Sequence, residues 1–100
     1  MKYVILVADH QKLGVKRVYP FIFAEWCTHS EVAKSMIHMI GMETNVIPDV
    51  LSAGFCKPNT LGFEVTQHGS ESLKIKADRE RYAADTDLLN MPNAMQGILA

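Results

Sequence analysis

The first apolar segment of the chain runs almost without interruption over residues 3–8. Such a run, rich in β-branched side chains, is typical of a strand that lies centrally or is covered on both faces. A second apolar segment, over residues 17–24, contains Pro20, which cannot donate to a β-ladder and favours an edge strand or a bulge. The polar stretch between them ends at Gly14 and predicts a loop, so the two strands are expected to form a hairpin.

A helical pattern of polar and apolar positions follows. Thr28 with Glu31 three residues later has the spacing of a capping box, which marks a helix start. Polar side chains then form one stripe at helical spacing, and Gly41 is expected to be the C-terminal cap. The pattern therefore predicts a well-defined helix from about residue 28 to residue 41.

The second half of the chain changes to a period of two. Apolar and polar residues alternate over residues 51–56, 61–66 and 73–76, which is typical of a half-buried antiparallel meander. A weaker helix is predicted over residues 78–89, followed by an apolar tail from about residue 91. The expected fold is a single α+β domain over residues 1–100 in the order ββαβββα, with a mostly antiparallel sheet.

Composition and charge narrow the class of protein. The chain has 100 residues, a hydrophobic share of 48% and a net charge of −1, as in an ordinary globular domain. The balanced charge disfavours nucleic acid as a partner. The apolar runs are too short to span a bilayer, so no membrane association is expected. Without an export signal, a cytoplasmic location with two free thiols is predicted, and no cofactor is indicated.

The densest reactive chemistry lies between the second strand and the first helix. Cys27 lies just before a helix N-terminus, and His29 could serve as its base or counter-ion. This arrangement suggests a thiol nucleophile in a small thiol-dependent enzyme. The alternative is structural: Cys27 packs as a small apolar residue, Trp26 anchors the helix in the core and His29 is solvated. A metal site is not expected, because the spacing of the cysteines and histidines is unlike that of zinc ligands.

Glu25 and His29 flank the same junction and form a second hypothesis. Polar side chains beside a helix start can hold an anionic or hydrogen-bonding ligand, so both residues are candidates for binding. The alternative is that they satisfy each other or the backbone at a chain turn.

The apolar sector of the first helix is wider than packing on one sheet requires. Either the tail of the chain covers the surplus, or Met36, Met39 and Ile40 form an interface between copies. The second alternative predicts a homo-oligomer, most simply a homodimer.

Four segments together resemble a group of small uncharacterised proteins from phages and other mobile genetic elements. They are residues 20–33, Ser52 to Phe55, residues 69–73 and residues 85–89. The resemblance implies that Glu25, His29 and Gly54 occupy shared positions, whereas Trp26 and Cys27 are particular to this chain. It implies no reaction, and it favours an accessory protein that binds another macromolecule, such as an unknown protein partner.

Overall fold

The computed structural model of the chain describes residues 1–91, and the predicted apolar tail beyond Met91 lies outside the described residues. Four strands form one antiparallel sheet in the order β2-β1-β3-β4. They are β1 (Lys2–His10), β2 (Val15–Phe23), β3 (Asp49–Asn59) and β4 (Gly62–His68). Helix α1 (His29–Thr44) follows β2, and α2 (Arg81–Leu89) follows β4. The predicted α+β class and the antiparallel sheet are confirmed.

Strand β1 is central and is covered on both faces, as its apolar run indicates. Val4 and Leu6 belong to the core beneath α1, together with Ala33 and Ile40. Tyr3 and Ile5 point to the opposite face and form a second core with Leu89 of α2. The two helices therefore lie on opposite faces of the sheet, because successive side chains of a strand alternate in direction.

The boundaries of α1 show one correct expectation and one error. Thr28 accepts a hydrogen bond from the Glu31 backbone N–H and completes the predicted capping box. The predicted end at Gly41 is wrong, since the helix continues to Thr44 and ends at Asn45 in the left-handed conformation, with φ at 59°. Asparagine is the usual second choice after glycine for that conformation, so it supplies the cap instead.

The later elements are shorter than the sequence pattern indicates. The last segment of the expected meander pairs only through an isolated bridge between Ser70 and Ile75. Helix α2 begins at Arg81 rather than at residue 78. Asp78 instead closes the preceding turn, because its carboxylate accepts the Glu80 N–H at 3.0 Å.

Side chains of α2 and of its C-cap residue complete the outer edge of β4. Thr86 Oγ1 accepts the Val65 N–H at 3.0 Å. The Asn90 amide accepts the Phe63 N–H at 2.9 Å and donates to the Phe63 carbonyl at 2.7 Å, as a neighbouring strand would. This pairing protects an edge that would otherwise be open to another chain.

Candidate functional site

A buried polar cluster between the sheet and α2 is the densest chemistry in the described residues. Asp85 of α2 is fully buried. One of its oxygens, Oδ2, accepts the Tyr3 hydroxyl at 2.7 Å and the Ser52 hydroxyl at 2.5 Å. The other, Oδ1, accepts Arg81 Nη2 at 2.5 Å, one helical turn away. The cluster thus joins α2 to β1 and β3.

His68 at the end of β4 connects to the same cluster in a fixed tautomer. Its Nδ1 accepts the backbone N–H of Asp78 at 3.0 Å, so this nitrogen carries no proton in the neutral ring. Its Nε2 therefore bears the proton and donates to Ser52 Oγ at 2.9 Å. Ser52 in turn donates its own proton to Asp85.

Serine, histidine and aspartate together suggest a nucleophilic triad, but the hydrogen bonds run in the wrong order. In a triad, histidine lies between the other two, accepts the serine proton and donates to the carboxylate. Here Ser52 lies between His68 and Asp85, and it is only 1% exposed. The arrangement cannot activate Ser52 for attack on a substrate. It is a structural network whose members satisfy one another.

Burial in this network also changes the acidity of Tyr3. Desolvation is the main cause that raises the pKa of its hydroxyl, and the neighbouring Asp85 carboxylate raises it further. The phenol therefore stays protonated and remains a hydrogen-bond donor. Among residues 1–91, the only buried side-chain nitrogen or oxygen without a partner is Arg81 Nε.

The sequence pattern does not predict this cluster, because its members are far apart in the chain. One signal was present: Asp85 lies four residues before Leu89, which puts its carboxylate on the apolar side of α2. A carboxylate in that position needs partners from another element.

The predicted site at the β2–α1 junction has a different geometry from the one expected. His29 is 3% exposed, and its Nε2 donates to the Gly54 carbonyl at 2.8 Å. The rings of Phe23 and Phe55 pack edge-on against it, each at 5.6 Å between centroids. Desolvation lowers the pKa of His29, and the nearby Lys2 ammonium adds to this effect, while the bond to Gly54 opposes it. The expectation of a solvated His29 is wrong.

The structure does not bring the other candidates of this junction together. The exposed Glu25 carboxylate pairs with the Met1 amino group at 3.2 Å. Cys27 is partly exposed, and its backbone carbonyl accepts Lys2 Nζ at 2.9 Å. Among residues 1–91, His29 makes no hydrogen bond to Cys27 or Glu25. A Cys27–His29 catalytic pair is therefore not formed.

Trp26 lies in the turn between β2 and α1 and is 88% exposed. The alternative in which it anchors α1 in the core is wrong. The turn is closed by a hydrogen bond from the Cys27 N–H to the Ala24 carbonyl at 3.2 Å. The largest apolar side chain of the protein is thus held in solvent by an ordered backbone.

The predicted interface residues of α1 separate into two environments. Ile40 is buried in the core beneath α1, and Met36 is partly buried against it. Met39 is exposed, as are Met42 one turn later and Ile47 after the helix. Ile40 cannot contribute to a surface, because its side chain is used in the fold.

Metal-ligating side chains do not converge in the part of the chain that the structure describes. No group of three or more histidines, cysteines or acidic residues placed to hold an ion occurs there. Within residues 1–91, no helix is both long enough and apolar enough to cross a membrane.

Two open grooves flank the loop between β4 and α2. The smaller, of about 430 Å³, has apolar walls from Val50, Leu51, Leu73 and Ile75 and includes Arg81. The larger, of about 970 Å³, lies between the start of α1 and residues 67–77. Both are wide enough for a small ligand.

Comparison with known proteins identifies no relative: no family model, curated protein or solved structure matches the chain.

Proposed function

We propose that this chain is a small accessory protein of a phage or other mobile genetic element that acts by binding another macromolecule, with Trp26 as its main contact. The observation that supports the binding role is the exposure of Trp26, at 88%, in a hydrogen-bonded turn, whereas the mobile-element origin is what the sequence resemblance implies. Tryptophan is strongly enriched among the residues that dominate binding energy at protein interfaces. A protein partner fits this surface best.

The surroundings of Trp26 support a preformed contact surface. The Cys27 carbonyl that follows it accepts Lys2 Nζ, and Thr28 caps α1 immediately afterwards. Because hydrogen bonds fix the backbone of this turn in the free protein, that backbone has less conformational entropy to lose when a partner binds.

The other function that the sequence suggests, a thiol-dependent enzyme, has less support. Among residues 1–91, no hydrogen bond joins His29 to Cys27, and the His29 ring is 3% exposed with edge contacts to two aromatic rings. Ser52 is committed to the buried network.

Affinity capture from a lysate of the source organism tests the proposal with a matched pair of variants. Trp26→Ala should abolish recovery of the partner and leave the melting temperature almost unchanged, since the side chain is solvated. Leu61→Ala is the control, because Leu61 is 93% exposed in the β3–β4 turn. Its partner recovery should equal that of the wild type. Equal recovery by the Trp26 variant would contradict the proposal.

A further inference from the structure

The larger groove carries an uneven charge. Its lining includes Lys2, Lys74 and Lys76, against a single carboxylate from Glu71. The protein as a whole has a net charge of −1. The groove is therefore locally positive on a molecule that is slightly negative.

These lysines are not used to stabilise the fold by ion pairing. The ion pairs among residues 1–91 involve other groups, and none includes a lysine of the groove. Their positive charges are therefore available to an external anion. Like charges that line one groove without counter-ions favour the binding of an anion there.

The structure holds Lys2 in place. Its Nζ donates to the Cys27 carbonyl at 2.9 Å and lies 5.9 Å from the centroid of the Phe55 ring. An ammonium group has three donors, so this hydrogen bond leaves two for a ligand.

Lys74 is held in an unusual backbone conformation. Its φ is 57°, a left-handed value that residues other than glycine and asparagine rarely adopt. The turn is closed by a hydrogen bond from the Lys74 N–H to the Glu71 carbonyl at 3.1 Å. Its neighbours Leu73 and Ile75 pack against the core beneath α1, which leaves Lys74 exposed. A residue kept in such a conformation at the rim of a groove suggests a role for its side chain.

We propose that the groove between α1 and the β4–α2 loop binds a polyvalent oxyanion, namely the phosphate groups of a ligand, through Lys2, Lys74 and Lys76. A single carboxylate would neutralise one lysine only, whereas a ligand with several negative charges matches the lysines together. Lysine binds phosphate as a point charge, so it does not need the planar geometry of an arginine site. This inference goes beyond the proposed macromolecular contact at Trp26 and does not depend on it.

Calorimetric titration with inorganic pyrophosphate at low salt tests the site. Pyrophosphate should bind more tightly than monophosphate, and acetate should give no signal. Lys74→Asn should weaken pyrophosphate binding by up to about fivefold, the largest effect usual for one exposed ion pair. The melting temperature of this variant should not fall, because asparagine tolerates the left-handed conformation better than lysine.

Lys12→Asn is the matched control. It removes the same charge from an exposed position. Lys12 follows the C-terminal end of β1, whereas Lys2 is at the N-terminal end of this nine-residue strand, which is about 30 Å long. Its affinity for pyrophosphate should equal that of the wild type. No binding at millimolar pyrophosphate would overturn the proposal, as would equal weakening by the two variants. An oligothymidylate that displaces pyrophosphate and binds more tightly would identify a nucleic-acid strand as the source of the phosphates, and weaker binding would identify a free phosphorylated molecule.

Discussion

Gly54 is the point at which two buried histidines approach β3 from opposite faces. His29 donates to its carbonyl on the α1 side. His68 pairs with Gly54 across the β3–β4 ladder, and its side chain lies on the α2 side of the sheet, where it bonds to Ser52. A Cβ at this position would collide with the Gln67 carbonyl and touch the Tyr3 ring at 3.0 Å. Glycine is therefore required by close packing.

His29 should make the protein less stable in acid. Its pKa lies below the ordinary value of 6.5 in the folded state, mainly through desolvation. In the window between that lowered value and 6.5, the unfolded chain binds more protons than the folded one, so stability falls as pH decreases. Above 6.5 both states are neutral and the effect disappears. The maximum slope for one group is about 1.4 kcal/mol per pH unit.

Denaturant unfolding at several pH values measures this effect. In His29→Gln the amide can still donate to Gly54 but does not titrate, so the dependence on pH should be flatter than in the wild type. His38→Gln is the control, because His38 is exposed on the same helix. If the stability of the His29 variant depends on pH as steeply as that of the wild type, His29 is not the group responsible.

At the scale of elements, α2 depends on polar contacts more than on its apolar surface. It has nine residues, and only Asp85 and Leu89 are buried. A helix of this length is marginal by itself, so its position is set by tertiary contacts. The Asp85 network supplies them on the sheet face, and Thr86 and Asn90 supply them at the β4 edge.

Asp85→Ala should therefore destabilise the protein by about 2–6 kcal/mol, because the buried Tyr3 and Ser52 hydroxyls would each lose their acceptor at a cost of about 1–3 kcal/mol. The donors from Tyr3, Ser52 and Arg81 would lose their common acceptor. Chemical denaturation measures the change. Asp87→Ala is the control, since Asp87 is exposed on the same helix and its substitution should cost less than about 0.5 kcal/mol. Similar losses in both variants would show that the network does not hold α2.

Local patterns explain why the elements could be predicted and the site could not. The alternation in β1 and the Thr28 cap depend on neighbours within a few residues, so they are readable from the sequence. The buried cluster depends on how β1, β3, β4 and α2 meet, which no local pattern encodes. Trp26 and His29 show the same limit. The apolar Trp26 is exposed and the polar His29 is buried, which is the opposite of what their residue types suggest.

At the scale of the whole molecule, both faces of the sheet carry a helix, and Thr86 of α2 and its C-cap Asn90 occupy the β4 edge. Three exposed apolar side chains lie near one another at the C-terminal end of α1. Met42 is 72% exposed and Ile47 is 76% exposed, with Met39 one turn before Met42. Ile47 folds back towards Gly41, where a Cβ would lie 3.8 Å from its Cγ1. These three side chains therefore lie around the C-terminal turns of α1.

Self-association through these side chains is the prediction for the whole molecule. Methionine is flexible and polarizable and is common on surfaces that adapt to a partner, and a symmetric dimer would bury the same patch on both copies. Light scattering at micromolar concentration should give twice the chain mass of 11.2 kDa. Met42→Lys should return the mass to that of one chain, since a dimer would place two like charges at an apolar contact. Leu13→Lys, an exposed change in the β1–β2 turn, should leave the dimer intact. A single-chain mass for the wild type at every concentration would contradict the predicted dimer. A dimer that persists in Met42→Lys would show that its interface is not at the end of α1.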